Sequence, residues 1–67
     1  MITIKVNGVS KDLDQAVTLT ELLEKLDLPT RRVAIELNKN VVSRSKWQEV
    51  CIEENDELEI IHFVGGG

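Results

Sequence analysis

The sequence has few of the residues that stabilise small proteins through covalent or metal chemistry. Among its 67 residues, Cys51 is the only cysteine and His62 is the only histidine. An intramolecular disulfide is therefore impossible, and a structural zinc site would have too few soft ligands. Aromatic side chains are also scarce, with one tryptophan, Trp47, and one phenylalanine, Phe63. The fold must therefore rest on aliphatic packing in a single small domain, which a hydrophobic content of 42% allows.

Positive charge is in deficit overall. Eight lysines and arginines against twelve aspartates and glutamates give a net charge of −4, which argues against a nucleic-acid partner because phosphate binding usually requires a basic surface. The charges are unevenly placed, with five bases between residues 31 and 46 and six acids between residues 49 and 59. These are either solvated patches or an oriented docking surface. The five bases, called the basic stretch below, are Arg31, Arg32, Lys39, Arg44 and Lys46.

Long apolar segments are absent as well. No run is long enough to span a membrane, and the N-terminus alternates polar and apolar residues instead of forming the apolar centre of an export signal. The single thiol has no second cysteine to pair with, which is usual for proteins of reducing compartments. We therefore expect a cytoplasmic protein without a membrane partner.

The first residues predict a β-hairpin. The segment Ile2–Val6 alternates apolar and polar residues with a period of two, the pattern of a half-buried strand. Asn7 and Gly8 follow, and this dipeptide favours a tight hairpin turn because both residues tolerate positive φ. A return strand is expected over about residues 9–14.

A single helix is predicted next. Thr18 and Glu21 have the spacing of a capping box, in which each side chain binds the backbone N–H of the other residue. Four leucines recur at helical spacing and would form one apolar face. We expect the helix to end near Leu28 because Pro29 disfavours a helical residue before it. The four leucines are Leu19, Leu22, Leu23 and Leu26.

The second half of the chain predicts three more strands. Residues 32–37 alternate with apolar residues on one face, residues 38–40 form a turn, and residues 41–44 form a short strand. Residues 53–56 are a polar turn. The last strand, over residues 57–64, is the most apolar and is expected to be central in the sheet. The expected core is led by Ile4, Leu22, Leu26, Ile35, Leu58 and Ile60.

Residues with catalytic or metal-binding chemistry do not form a recognisable set. A Cys–His pair would have to combine Cys51, in an apolar cluster between Val50 and Ile52, with His62 in the last strand. A buried cysteine and a histidine on a sheet surface are the simpler interpretation. The acids of residues 53–57 lack the spacing and the central glycine of a calcium loop. We therefore expect no catalytic residue and no metal ligand.

Three of the four glycines are the last three residues, Gly65, Gly66 and Gly67, and they follow the most apolar strand. Glycine lacks a Cβ atom, so such a backbone can enter a slot too narrow for any side chain. Fully extended, four residues reach roughly 13 Å, the length of an active-site channel. The tail is either a frayed terminus or a handle that presents its carboxylate to another protein.

The element order resembles that of the ubiquitin-like β-grasp proteins, and most closely that of the sulfur carrier proteins of thiazole (thiamin) biosynthesis. The related small subunit of molybdopterin synthase is longer and lacks the Val-x-Arg-x-x-Trp spacing found here. The residues that carry the resemblance are Asn38, Val42, Arg44, Trp47, Asp56 and the final six residues, HFVGGG.

The resemblance implies an α+β fold of the ubiquitin-like β-grasp type. A mixed sheet of about five strands would pack on one main helix, with residues 1–64 as the domain and residues 65–67 as a flexible C-terminal tail. It also implies a carrier function and no enzymatic activity of the chain itself. The carboxylate of Gly67 would be adenylated and converted to a thiocarboxylate, with Gly66 as its diglycine partner and Gly65 as an additional glycine of the tail that enters partner active sites.

The resemblance further implies the partners. The activating enzyme would be an adenylyltransferase of the ubiquitin-activating type that uses ATP, the sulfur would come from a cysteine desulfurase route, and thiazole synthase would receive it. No cofactor would be bound by the chain itself. Alternatives remain open: a carrier for a molybdopterin-type pathway, a ubiquitin-like interaction module whose glycines are only a terminus, and a nucleic-acid-associated β-grasp domain that uses the basic stretch.

The last strand also predicts a docking surface. Leu58 and Ile60 alternate onto the core face, so Ile61 and Phe63 fall on the opposite face. An exposed apolar pair usually marks a partner site. We therefore expect Ile61, Phe63 and the adjoining Val64 to dock the activating enzyme.

Overall fold

One five-stranded sheet and one α-helix make up the structure, a computed structural model that describes residues 1–63. The order of elements agrees with the order predicted from the sequence. A short 3₁₀-helix, Arg44–Lys46, is an addition to it. The strands are β1 (Ile2–Val6), β2 (Val9–Leu13), β3 (Val33–Leu37), β4 (Asn40–Val42) and β5 (Glu57–His62), and the helix is α1 (Leu19–Lys25).

The sheet is mixed, with the strand order β2-β1-β5-β3-β4. Strand β5 is parallel to β1 and antiparallel to β3, and both hairpins, β1-β2 and β3-β4, are antiparallel. The longest strand, β5, therefore lies at the centre, as its apolar sequence predicted. This architecture confirms the predicted α+β fold. The predicted domain boundary at residue 64 and the tail over residues 65–67 lie outside the described residues.

Both hairpins turn through two residues with positive φ. Asn7 and Gly8 have φ values of 51° and 84°, and Asn38 and Lys39 have values of 51° and 73°. Positive φ at both central residues matches the right-handed twist of the flanking strands, and asparagine and glycine adopt it most readily. The second turn is one residue shorter than predicted because Asn40 already belongs to β4.

The start of α1 is the predicted capping box. The Thr18 hydroxyl accepts a hydrogen bond from the backbone N–H of Glu21 at 3.2 Å, and the Glu21 carboxylate accepts one from the backbone N–H of Thr18 at 2.9 Å. These bonds satisfy N–H groups that the first turn of a helix leaves without partners. In the described part of the chain, no helix has the length and the apolar character needed to cross a membrane.

The helix ends before the predicted position. Asp27 has a φ of 57° and donates to the carbonyl of Glu24 at 3.1 Å, while Leu28 donates to the carbonyl of Leu23 at 2.9 Å. This pair of bonds is a Schellman motif, which closes a helix through one left-handed residue. The helix therefore ends at Lys25. The left-handed conformation of Asp27 terminates it, two residues before Pro29.

The core lies between α1 and one face of the sheet. Four of the six residues expected to lead it are buried there, whereas Leu26 and Ile60 are only partly buried against it. Cys51 corrects a prediction, because it is exposed while Ile52 beside it is fully buried. In this extended segment, residues 50–52, successive side chains point to opposite sides, so Cys51 faces outward. The buried residues are Ile4, Val6, Leu13, Val17, Leu19, Leu22, Leu23, Val33, Ile35, Trp47, Ile52 and Leu58.

Candidate functional site

The C-terminal end of β5 is the candidate functional site, because the residues that follow it in the sequence lead to the three glycines. Leu58 is buried, whereas Ile61 and Phe63 are 42% and 55% exposed. The apolar pair is therefore on the outer face of the sheet, where the alternation of the sequence placed it. Its role in docking stays a prediction.

The remaining predicted site residues are the last four of the chain. Val64, Gly65, Gly66 and Gly67 lie outside the described residues, so the docking role of Val64 and the modification of Gly67 stay predictions.

The outer face around this pair combines apolar and acidic side chains. Ile61 stands opposite Ala34 on β3, and Glu59 stands opposite Glu36. Glu36 in turn stands opposite Val41 on β4, which is 74% exposed. Directly opposite residues of antiparallel strands share a face and lie about 5 Å apart at Cβ. The two glutamates therefore form a like-charge pair beside an apolar surface.

Two asparagine side chains hold β5 along its length. The amide of Asn7 accepts a hydrogen bond from the backbone N–H of Ile60 at 2.7 Å and donates to its carbonyl at 3.2 Å. The amide of Asn38 accepts from the backbone N–H of Glu57 at 3.0 Å and donates to the Asp56 carboxylate at 3.0 Å. Each hairpin asparagine thus makes a turn and also binds the central strand.

Sequence reasoning predicted the Asn7 turn and placed Asn38 in a turn, but it missed both of these contacts. The available signal was the residue type, because an amide both donates and accepts hydrogen bonds. Glycine would satisfy the turn alone.

The loop before β3 holds the last described residue of the chain. The backbone N–H of Phe63 donates to the carbonyl of Arg32 at 2.7 Å. The sequence predicted that Arg32 starts β3. In the structure Arg32 has a φ of 57° and precedes the strand, which begins at Val33. Left-handed backbone is uncommon for a residue other than glycine.

The Val-x-Arg-x-x-Trp residues lie next to this loop. The Arg44 guanidinium donates to the carbonyl of Thr30 and stacks over the Trp47 ring, with 4.6 Å between Cζ and the ring centroid. The Trp47 indole donates to the carbonyl of Val42 at 3.0 Å. Arg44 is in the 3₁₀-helix and not at the end of a strand, which corrects the predicted extent of β4.

The other candidate residues do not form a chemical site. Cys51 forms an isolated bridge with Thr18, whereas His62 pairs with Val33 at the end of β5. Residues 1–63 contain no group of three or more histidine, cysteine or acidic side chains placed to hold a metal ion. The members of the basic stretch are all exposed and are distributed over the loop before β3, the β3-β4 turn and the 3₁₀-helix.

Comparison with known proteins assigns the chain. The model of the ThiS family matches residues 4–67. The chain belongs to the ThiS family. The crystal structure of the thiamine biosynthesis protein ThiS from Geobacter metallireducens superimposes with a TM-score of 0.86 at 30% identity, and the match covers 98% of this chain and 100% of that one. The fold is therefore the ubiquitin-like β-grasp of the ThiS family.

A sulfur carrier protein and a thiazole synthase are both similar to this chain. The sulfur carrier protein ThiS of Bacillus subtilis is 38% identical over 50 residues, which are 75% of this chain and 76% of the relative. The thiazole synthase of Magnetococcus marinus is 41% identical over 64 residues, which are 96% of this chain but only 20% of the relative. The chain thus spans about one fifth of the length of that thiazole synthase.

Proposed function

We propose that this chain is a sulfur carrier protein of thiamin biosynthesis. The observation that carries the proposal is the match to the ThiS family, which runs through residue 67 and so includes the three terminal glycines. The Bacillus subtilis relative, which matches three quarters of the chain, is named a sulfur carrier protein. The chain acts as a protein co-substrate, and the chemistry takes place in its partners.

The proposed reaction takes place at the carboxylate of Gly67. A carboxylate is a poor acyl donor because its oxygen is a poor leaving group. In the first step a carboxylate oxygen attacks the α-phosphorus of ATP, pyrophosphate leaves, and an acyl adenylate forms. In the second step a sulfur nucleophile attacks the acyl carbon and AMP leaves. Sulfide gives the terminal thiocarboxylate directly, whereas a persulfide gives an acyl disulfide, from which a thiol releases the thiocarboxylate while the thiol sulfur joins the departing sulfur in a new disulfide. ATP is used by the activating partner, and the carrier itself holds no cofactor.

We propose three partners for this chemistry. An adenylyltransferase of the ubiquitin-activating type performs the first step, a cysteine desulfurase route supplies the sulfur, and thiazole synthase consumes the thiocarboxylate. The thiazole synthase of Magnetococcus marinus supports the last partner, because a segment of it is similar to this chain. Gly65 and Gly66 allow the terminus to enter the narrow active sites of these enzymes, because neither has a side chain.

The outer face of β5 is the proposed docking surface for the activating enzyme. Ile61 and Phe63 are exposed apolar side chains at the end of the strand that leads to Gly67. Contacts on this face, together with Val64, place the terminus next to the catalytic site. An apolar patch that no other part of residues 1–63 covers is typical of a partner-binding surface.

Mass spectrometry and an exchange assay test the proposed function. Intact protein from its own cells should contain a species heavier by about 16 Da, because sulfur replaces one oxygen of the terminal carboxylate. The purified chain should support ATP–pyrophosphate exchange by the cognate activating enzyme. The matched control has one serine appended after Gly67, which should abolish exchange without changing the circular dichroism spectrum. Normal exchange by the extended form would contradict the proposal.

A further inference from the structure

The Val-x-Arg-x-x-Trp residues have no part in the proposed chemistry, yet their contacts converge on the loop that holds the end of β5. The Arg44 guanidinium is fixed from two sides, by the carbonyl of Thr30 and by the face of the Trp47 ring. The ring is fixed in turn, because Trp47 is 4% exposed and its indole N–H donates to Val42. A cation over a tryptophan face is attracted by the ring quadrupole, so this geometry is favourable.

The loop that Arg44 binds makes the last described backbone hydrogen bond of β5. Thr30 is two residues before Arg32, and the Arg32 carbonyl accepts from the N–H of Phe63 at 2.7 Å. Arg32 directs this carbonyl from a left-handed conformation with a φ of 57°. Such a conformation persists in a residue other than glycine only where its surroundings hold it. The Arg44 guanidinium binds this loop at the carbonyl of Thr30.

Among residues 1–63, the elements on the opposite edge of β5 give Phe63 no comparable support. The pairing of β1 with β5 ends at Val6 and Leu58. The Asn7 amide extends it by one residue pair, to Ile60. Within residues 1–63, the direction of the chain after Ile60 is therefore set by β3 and by the Arg32 carbonyl that precedes it.

We propose that Arg44, supported by Trp47, is a positioning residue for the reaction at the carboxyl terminus. It holds the loop of residues 30–32 so that the Arg32 carbonyl fixes Phe63, and thereby aims the residues that follow Phe63 at the active site of the activating enzyme. This inference rests on the proposed function. If the carboxylate of Gly67 is poorly oriented toward the α-phosphorus of ATP, adenylation is slow even when binding is intact, because proximity and orientation supply much of the rate in such reactions.

Hydrogen exchange tests the structural part of the inference in the full chain. Arg44→Ala should raise the exchange rate of the Phe63 amide by about 10-fold, since a hydrogen bond at the end of a strand opens locally once its support is lost. The Ile60 amide, which Asn7 holds, should exchange at the original rate. In Arg44→Lys the Phe63 amide should exchange at a rate between those in the unmodified chain and in Arg44→Ala, because lysine keeps the charge and a donor but loses the planar stacking. Lys46→Ala removes the same charge from the same 3₁₀-helix and should change neither amide.

Steady-state kinetics test the positioning part. In ATP–pyrophosphate exchange, Arg44→Ala should lower kcat by about 10-fold. The KM for the carrier should stay within about 2-fold, because the Ile61 and Phe63 side chains both remain and only the backbone restraint at Phe63 is loosened. Arg44→Lys should recover part of kcat, and Lys46→Ala should match the unmodified chain. Arg44 is exposed, so both Arg44 variants should keep the circular dichroism spectrum.

The outcomes separate the two levels of the proposal. An unchanged Phe63 exchange rate in Arg44→Ala, or a raised rate with unchanged kcat, would overturn the positioning role alone. An equal loss of kcat in Lys46→Ala would also overturn it, because the effect would then be one of charge. Absence of exchange activity in the unmodified chain would overturn the proposed function, and this inference with it.

Discussion

Phe63 offers the sharpest test of where the activating enzyme docks. The change is Phe63→Asp, which replaces an exposed apolar ring just after β5 with a charge. The fold should tolerate it, because substitutions on the surface usually change the free energy of unfolding by less than about 0.5 kcal/mol. Binding should not tolerate it, because the ring would be lost from the centre of the proposed contact.

The size of the effect follows from the exposure of the ring. Phe63 is 55% exposed, and a phenylalanine offers roughly 200 Å², so a partner can cover about 110 Å² of it. At about 25 cal/mol per Å², covering that area stabilises the complex by about 2–3 kcal/mol. This is the range of an interface hot spot. The dissociation constant should therefore rise by about 30- to 150-fold.

Titration calorimetry with the purified activating enzyme measures this change. His62→Asp is the matched control, because it places the same charge one residue earlier, on the opposite face of β5, at a side chain that is also exposed. The control should bind with nearly the original affinity. Equal losses in both variants would point to a general effect of negative charge at the end of the strand.

The basic stretch provides the competing location for the interface. If it docks the enzyme, Arg32→Glu and Lys39→Glu should weaken binding more than Phe63→Asp does, and affinity should fall with salt. Unchanged affinity for Phe63→Asp together with lost affinity for these charge reversals would refute the reasoning from the apolar pair.

Three further predictions concern the strand and its tail. Asn7→Gly keeps the positive φ of the turn but removes two hydrogen bonds to Ile60, so thermal denaturation should show a free energy of unfolding lower by about 1–2 kcal/mol. The control Lys39→Gly, at the other turn, should be neutral or stabilising, and equal losses in both variants would contradict the role of the amide. Ile35→Ala should lower the free energy of unfolding, measured by urea denaturation, by about 2–5 kcal/mol because Ile35 is fully buried. Ile60→Ala should lower it less because Ile60 is only partly buried, and a larger loss at Ile60 would contradict this assignment of the core. Gly66→Val should abolish ATP–pyrophosphate exchange and leave the melting temperature unchanged, and a lower melting temperature with retained exchange would make Gly66 structural.

The parts of the fold that the sequence predicted are those specified by local chemistry. Asn7 and Gly8 tolerate positive φ, so their position fixes the first hairpin and its register. Thr18 and Glu21 satisfy each other's backbone N–H groups, so they fix the start of the helix. Residues of the last strand alternate strongly enough to assign both of its faces.

The missed features depend on contacts distant in the sequence or on a single backbone angle. Asn7 binds Ile60, 53 residues away, so the residue type indicates that its amide can make a contact, but no local pattern identifies the partner. Asp27 ends the helix by adopting a left-handed conformation, which aspartate does only occasionally. Cys51 looked buried because its neighbours are apolar, but an extended segment places alternate residues on opposite faces.

The exposed apolar pair and the asparagine contact both lie at the end of β5 that extends beyond its pairing with β1. Because β1 turns at Asn7, its pairing with β5 ends at Leu58. In the part of the chain that the structure describes, the rest of β5 therefore has a neighbouring strand on one edge only. The Asn7 amide replaces one residue of the missing strand at Ile60. Within residues 1–63, no strand pairs with the β1 edge of β5 beyond that point. Ile61 and Phe63 are exposed because they lie on the outer face of the sheet, away from α1. The surface that we propose for docking therefore lies beside an open strand edge, and the residues that follow it in the sequence lead to Gly67.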